Sequence, residues 1–132
     1  MQRSKEFLVK VYNKAKERGK LNKEVIEYLE SKFPGKTDKI IEIVNREITK
    51  YCYNPSKRII WTVIGENDEY LIYPKRYCSC QDFYKRVVIK RKKEYCKHII
   101  AQIIGEAIGK FKIVEWEDDK FRESLKEVNL KI

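Results

Sequence analysis

The chain has 132 residues and a formal net charge of +10, from 30 Lys plus Arg against 20 Asp plus Glu. Hydrophobic residues make up 42% and charged residues 38%, which is enough apolar material for one core and excludes wholesale disorder. A single histidine, His98, excludes any mechanism that needs two, and no glycine-rich loop followed by Lys-Ser or Lys-Thr is present to cradle a nucleotide.

No apolar run approaches the roughly 20 residues of a membrane-spanning helix. Met1 to Lys10 lack the apolar stretch and cleavage site of a signal peptide. The expectation is a soluble, cytoplasmic protein with no membrane partner, nucleoid-associated if it binds DNA. The chain holds 22 Lys, 15 Glu and 17 Ile but three Gln, the bias expected of a thermophilic, archaeal source. An A/T-rich genome produces the same bias.

Ser4 is placed to cap a first helix, with Phe7, Leu8, Val11, Tyr12 and Ala15 on one face and Gly19 as its stop. Asn22 is placed to cap a second, carrying Val25, Ile26 and Leu29 and ended by Phe33-Pro34-Gly35. Thr37 or Asp38 would start a third, in which Ile40, Ile41, Val44, Ile48 and Tyr51 recur at helical spacing. Three amphipathic helices are therefore expected from residue 4 to about 51. Asn54-Pro55-Ser56 reads as a turn. Residues 58–64 (RIIWTVI) and 69–73 (EYLIY) flank the turn Gly65-Glu66-Asn67-Asp68 and read as a β-hairpin. Val87 to Ile89 is a third short strand candidate. Ile99, Ile100, Ile103, Ile104 and Ala107 line a helix between His98 and Lys110, and Asp118 or Asp119 would cap a last helix holding Phe121, Leu125 and Val128.

Three of the four cysteines and the histidine form one pattern, C-x-C-x15-C-x-H, at Cys78, Cys80, Cys96 and His98. Residues two apart on an extended strand project to the same side, so Cys78 and Cys80 offer two sulfurs from one edge. Cys96 and His98 sit where the Ile-rich helix begins. Three thiolates and one imidazole match a closed structural Zn2+ site of one ion, with no open position for catalysis. An iron–sulfur cluster on the same ligands and a redox pair are the alternatives. Zinc plus three thiolates carries −1, which Lys75, Arg76 and Lys97 are close enough in sequence to offset. Cys52 lies outside the pattern, and burial in the core is its default role.

C-x-C-x(n)-C-x-H behind a strand pair resembles the SWIM zinc finger. The resemblance covers about Arg58 to Lys110, near two-fifths of the chain. Trp61, Thr62 and Val63, then Gly65, then Tyr70 to Ile72 are similar to the family's aromatic strand and turn. Cys96-Lys97-His98-Ile99 is similar to its helix-opening step. Tyr95 stands where members often have proline. The resemblance implies a zinc-bound ββα module that serves DNA binding and protein–protein contact rather than catalysis. It also implies a context of transposition, recombination or repair, with a RecA-like recombinase paralogue as a possible protein partner.

Charge bears on the partner. Residues 1–57 carry net +6, residues 58–110 net +5 and residues 111–132 net −1. Between residues 70 and 98, nine cations face two acids, Asp82 and Glu94. The nine include Lys75, Arg76, Lys85, Arg86, Lys90, Arg91, Lys92 and Lys93, interleaved with Tyr77, Phe83, Tyr84 and Tyr95. Cations neutralise phosphates and aromatic faces stack on bases, so these eight are the candidate nucleic-acid contacts, DNA foremost. Solvated lysines around a metal core are the plain alternative. A third-helix DNA reader using Lys39, Arg46 and Lys50 is a further possibility, weakened by Glu42 and Glu47 beside those cations. Gly105 and Gly109 would allow close approach to the Ile-rich helix. Glu115-Trp116-Glu117-Asp118-Asp119 would cap the last helix or anchor a basic partner.

The expected fold is α+β: a helical region over 1–57, a zinc module over 58–110 with hairpin, metal loop and helix, and a C-terminal helix over 111–132. The expected function is a non-catalytic, zinc-structured nucleic-acid-binding protein. The alternatives are a protein-interaction adaptor and an enzyme using Glu66 and Asp68.

Overall fold

Helix α1 (Gln2–Arg18) turns Leu8, Val11 and Ala15 inward, each fully buried, so the 3.6-residue spacing of its apolar positions decides which side packs. This computed structural model describes residues 2–65, 68–73, 77–80, 84 and 96–120. The first helix starts before Ser4, which is therefore not its cap. Helix α2 (Lys23–Lys32) begins as expected: Asn22 is extended at φ −107° and its side chain accepts from the Val25 amide at 3.0 Å. Glu30 then accepts from the Gly35 amide at 2.9 Å and from the Thr37 hydroxyl at 2.6 Å. The Thr37 bond, with the Gly35 bond after it, holds the Glu30 carboxyl below its usual range and ties the end of α2 to helix α3 (Thr37–Asn45). Lys36, not Thr37 or Asp38, occupies the cap position of α3.

The third helix is shorter than its periodicity implied. It stops at Asn45, and Ile48–Asn54 is a strand, β1. Strand β2 (Arg58–Ile64) and strand β3 (Glu69–Tyr73) form the expected antiparallel hairpin. Beyond it stands a two-residue strand β4 (Tyr77–Cys78), then helix α4 (Lys97–Ile108) and strand β5 (Lys112–Glu117). The five strands make one sheet in the order β4-β3-β2-β1-β5, with β5 parallel to β1 and the other neighbours antiparallel. Stretches 1–57, 58–110 and 111–132 each contribute strands to it. The residues expected to begin a last helix instead form β5 and a single 3-10 turn over Asp118–Lys120. Asp118 anchors that turn by accepting from the Ser56 amide and hydroxyl at 3.2 and 2.7 Å. Val87 to Ile89, Phe121, Leu125 and Val128 lie outside the described residues.

Register sets the two faces of the sheet, because side chains alternate along a strand. Ile48 opposes Val63, and Trp61 opposes Ile72, which opposes Cys78. These residues join Leu8, Val25, Leu29, Ile40, Val44 and the inner side of α4 in the main core. Tyr53, Ile60 and Leu71 form a smaller cluster on the other face, with Tyr51, Tyr77 and Trp116 packed on them. Trp116 lies 5.2 Å from the Tyr51 ring and 6.4 Å from the Tyr53 ring. It is half-buried in the sheet rather than projecting as an anchor. Gly105 lets α4 pack tightly on β1, since a Cβ there would stand 2.5 Å from Ile48 Cδ1. Gly109 ends α4 in the left-handed region at φ 75°, which a side chain would disfavour.

The possible reader helix does not form as one surface. Lys39 is on α3, Arg46 follows its last turn, and Lys50 is on β1 with its ammonium 5.7 Å from the centre of the Trp61 ring. Cys52, expected in the core, is half-buried.

Candidate metal centre

The two halves of the metal pattern come from two elements, the end of β4 and the start of α4. Cys78 ends β4, paired with Ile72. Between the two cysteines, Ser79 faces the neighbouring strand. Its amide donates to the Leu71 carbonyl at 3.0 Å, and its hydroxyl accepts from the Leu71 amide at 3.0 Å. That exchange continues the ladder by one residue and leaves Cys78 and Cys80 to the other side. Cys96 is the extended residue just before α4, at φ −87° and ψ 165°, and His98 lies in the first turn. Cys96 thus stands at the positive end of α4, which favours a thiolate.

One ligand atom from each of Cys78, Cys80, Cys96 and His98 lies within 4.8 Å of the other three. A tetrahedral zinc with Zn–S bonds of about 2.3 Å needs sulfurs about 3.8 Å apart, so a small contraction closes the set. All four residues are buried, from 0% exposure at Cys96 to 4% at Cys80 and His98. His98 Nδ1 is buried with no hydrogen-bond partner, an orphaned nitrogen of the kind a cation satisfies. Burial, followed by hydrogen bonds that the Cys78 thiol donates to Cys80 and Cys96, pushes that thiol far up. Burial also raises Cys96. Three buried thiols and an imidazole make a poor core on their own and a complete set for one zinc ion. When bound, the ion would replace the thiol protons and cross-link β4 to α4.

The ring of Tyr70, on β3 opposite Val63, lies over the His98 imidazole, with centroids 4.4 Å apart and planes at 43°. Gly65, at the hairpin turn, is buried beside both rings. Sequence reasoning placed Gly65 in a turn and Tyr70 in a strand but did not connect either with the metal. Ser79 was also missed, although its position between two same-side cysteines is a signal that it faces the next strand.

The proposed nucleic-acid contacts Lys75, Arg76, Lys85, Arg86, Lys90, Arg91, Lys92 and Lys93 lie outside the described residues, as do Phe83, Tyr95 and Glu66. Lys97 is half-buried in the first turn of α4. Beside the metal site, Tyr84 is 50% and Tyr73 38% exposed, and the Tyr73 and Tyr77 rings stand 6.4 Å apart. Burial, then Cys78 and Cys80, raise the Tyr77 phenol. Asp68 is an exposed turn residue. No helix among the described residues is long and apolar enough to cross a membrane.

No family model matches the chain, and no solved structure matches it. The zinc finger SWIM domain-containing protein 7 homolog of Dictyostelium discoideum is 34% identical over 88 residues, covering 64% of this chain and 56% of that protein. The chain therefore spans little more than half the length of that relative. The C-x-C-x15-C-x-H spacing and the four ligands gathered in one buried cluster fit a single zinc ion, and over the matched residues the chain is similar to this SWIM zinc finger protein.

Proposed function

We propose that this zinc finger protein is non-catalytic and contacts nucleic acid, DNA foremost, through the basic segment between its two ligand pairs. The observation that carries the reading is the gathering of Cys78 and Cys80 with Cys96 and His98. It brings both ends of the intervening fifteen residues to one point, and those residues hold Lys85, Arg86, Lys90, Arg91, Lys92 and Lys93. Six cations thus fall in one short segment whose two ends meet at the metal site, and that segment also carries the exposed Tyr84. Phosphate neutralisation supplies sequence-independent affinity, and exposed rings supply stacking. A zinc coordinated by four protein ligands has no open position for substrate, which supports a structural role. The SWIM resemblance supports a context of DNA recombination or repair for such a module.

The test is binding of zinc-loaded protein to labelled single-stranded and duplex DNA at two salt concentrations. Saturable binding that weakens steeply with salt, and is lost when Lys90, Arg91, Lys92 and Lys93 are changed to Ala, supports the reading. Absent binding at low salt overturns it in favour of a protein-interaction adaptor, for which a recombinase paralogue is the first partner to try.

A further inference from the structure

Gly65 is confined in a way its place in a turn does not require. Its φ is not in the left-handed region, so conformation alone would admit a side chain. Space would not. A Cβ there would stand 2.5 Å from Tyr70 Cε2, 3.1 Å from Tyr70 Cδ2 and 3.2 Å from His98 Nε2. Carbon atoms in contact sit about 3.5–4.0 Å apart, and the atoms met are those of two rings packed on each other rather than the free end of a flexible chain. The missing Cβ is thus the room in which Tyr70 lies against His98.

We infer that Gly65 and Tyr70 are positioning residues for the zinc site. Tyr70 packs on one face of the imidazole, Gly65 leaves the space for it, and together they hold the ring plane toward the three sulfurs. His98 sits in the first turn of α4, and its buried Nδ1 has no hydrogen-bond partner among the described residues. Metal-ligating histidines are usually oriented by a hydrogen bond from the second nitrogen. Here ring packing takes that role. The inference concerns the metal site alone and stands apart from the nucleic-acid proposal.

The test uses the full chain and four variants: Gly65→Ala, Tyr70→Leu, Tyr70→Phe and Gly105→Ala. Gly105 is the matched control, because a Cβ there also meets a side-chain carbon at 2.5 Å, but that of Ile48 on β1. Zinc affinity is measured by competition with a chromophoric chelator. Ligand geometry is read from the d–d bands of the cobalt-substituted protein. Removing outer-shell support typically costs about tenfold to a hundredfold in metal affinity. Gly65→Ala and Tyr70→Leu are expected to lose zinc affinity on that scale and to shift the cobalt bands. Tyr70→Phe, which keeps the ring, and Gly105→Ala are expected to retain both. Should Gly65→Ala fail to fold, the Tyr70→Leu and Tyr70→Phe pair decides the matter. Parental affinity and bands in Tyr70→Leu overturn the inference. So does a loss in Tyr70→Phe equal to that in Tyr70→Leu, or a loss in Gly105→Ala equal to that in Gly65→Ala.

Discussion

At its N-terminal end helix α4 is held by chemistry, through Cys96 and His98 facing Cys78 and Cys80. A turn later it is held by shape alone. Ile99, Ile100, Ala101, Ile103 and Ile104 are at most 2% exposed, and Gly105 meets β1 at Ile48. The two ends of one helix therefore answer to different variables. Metal and protons govern the first. The second depends on apolar area and close packing, which are indifferent to both. The buried thiols stand inside the core beside the apolar half of α4.

The comparison is broken most severely at the metal end. Cys96→Ser removes one ligand of four. Structural zinc modules gain about 10–16 kcal/mol of apparent binding energy from their metal, against a net stability of about 5–15 kcal/mol for a typical domain. The variant should bind zinc weakly and lose its cooperative melt at the parental temperature, as read by zinc content and circular dichroism. Ile104→Ala breaks the other end. Ile104 is fully buried, and truncation of such a residue costs about 2–5 kcal/mol. Denaturant unfolding should show that loss, while the zinc content of the folded protein stays at the parental value.

Acidity sharpens the contrast between the two ends. Burial raises the Cys78 and Cys96 thiols in the folded chain. In zinc-free protein this stabilisation is fully present below the unfolded thiol pKa of about 8.5, and it is lost as the pH rises above it. Zinc reverses the sign, because it binds thiolates and must displace protons to do so. The gap in melting temperature between zinc-loaded and chelator-treated protein should therefore widen from pH 6 to pH 9. A constant gap would mean that the cysteines do not carry the metal. The smallest effect is remote from both ends of α4. Asn22→Ala removes the cap on the Val25 amide and should cost about 1 kcal/mol, with zinc affinity unchanged.

The ligand set was legible in the sequence because a metal needs donor types at short spacing, and C-x-C and C-x-H are local patterns. The β2–β3 hairpin and the Asn22 cap were legible for the same reason. The identity of β1 was not. Ile48 and Tyr51 follow Val44 at helical spacing, and what makes them a strand is pairing with Val63 and Ile60 on one side and with β5 on the other. Strand β5 was less visible still: Thr49 pairs with Lys112 across more than sixty residues, and the string KIVEWE carries no clean alternation. Gly65 shows the same limit at the site. Its presence in a turn is a local fact, whereas the two rings that exclude a Cβ come from β3 and α4.

The most direct test of the account is the zinc content of the purified full chain, with its thermal melt recorded before and after a strong chelator and again after zinc is restored. The account predicts one zinc per chain, a lower melting temperature without it and recovery on readdition. Protein that holds no zinc, or that melts at the same temperature with and without it, would contradict the zinc site on which the whole arrangement of β4 and α4 rests.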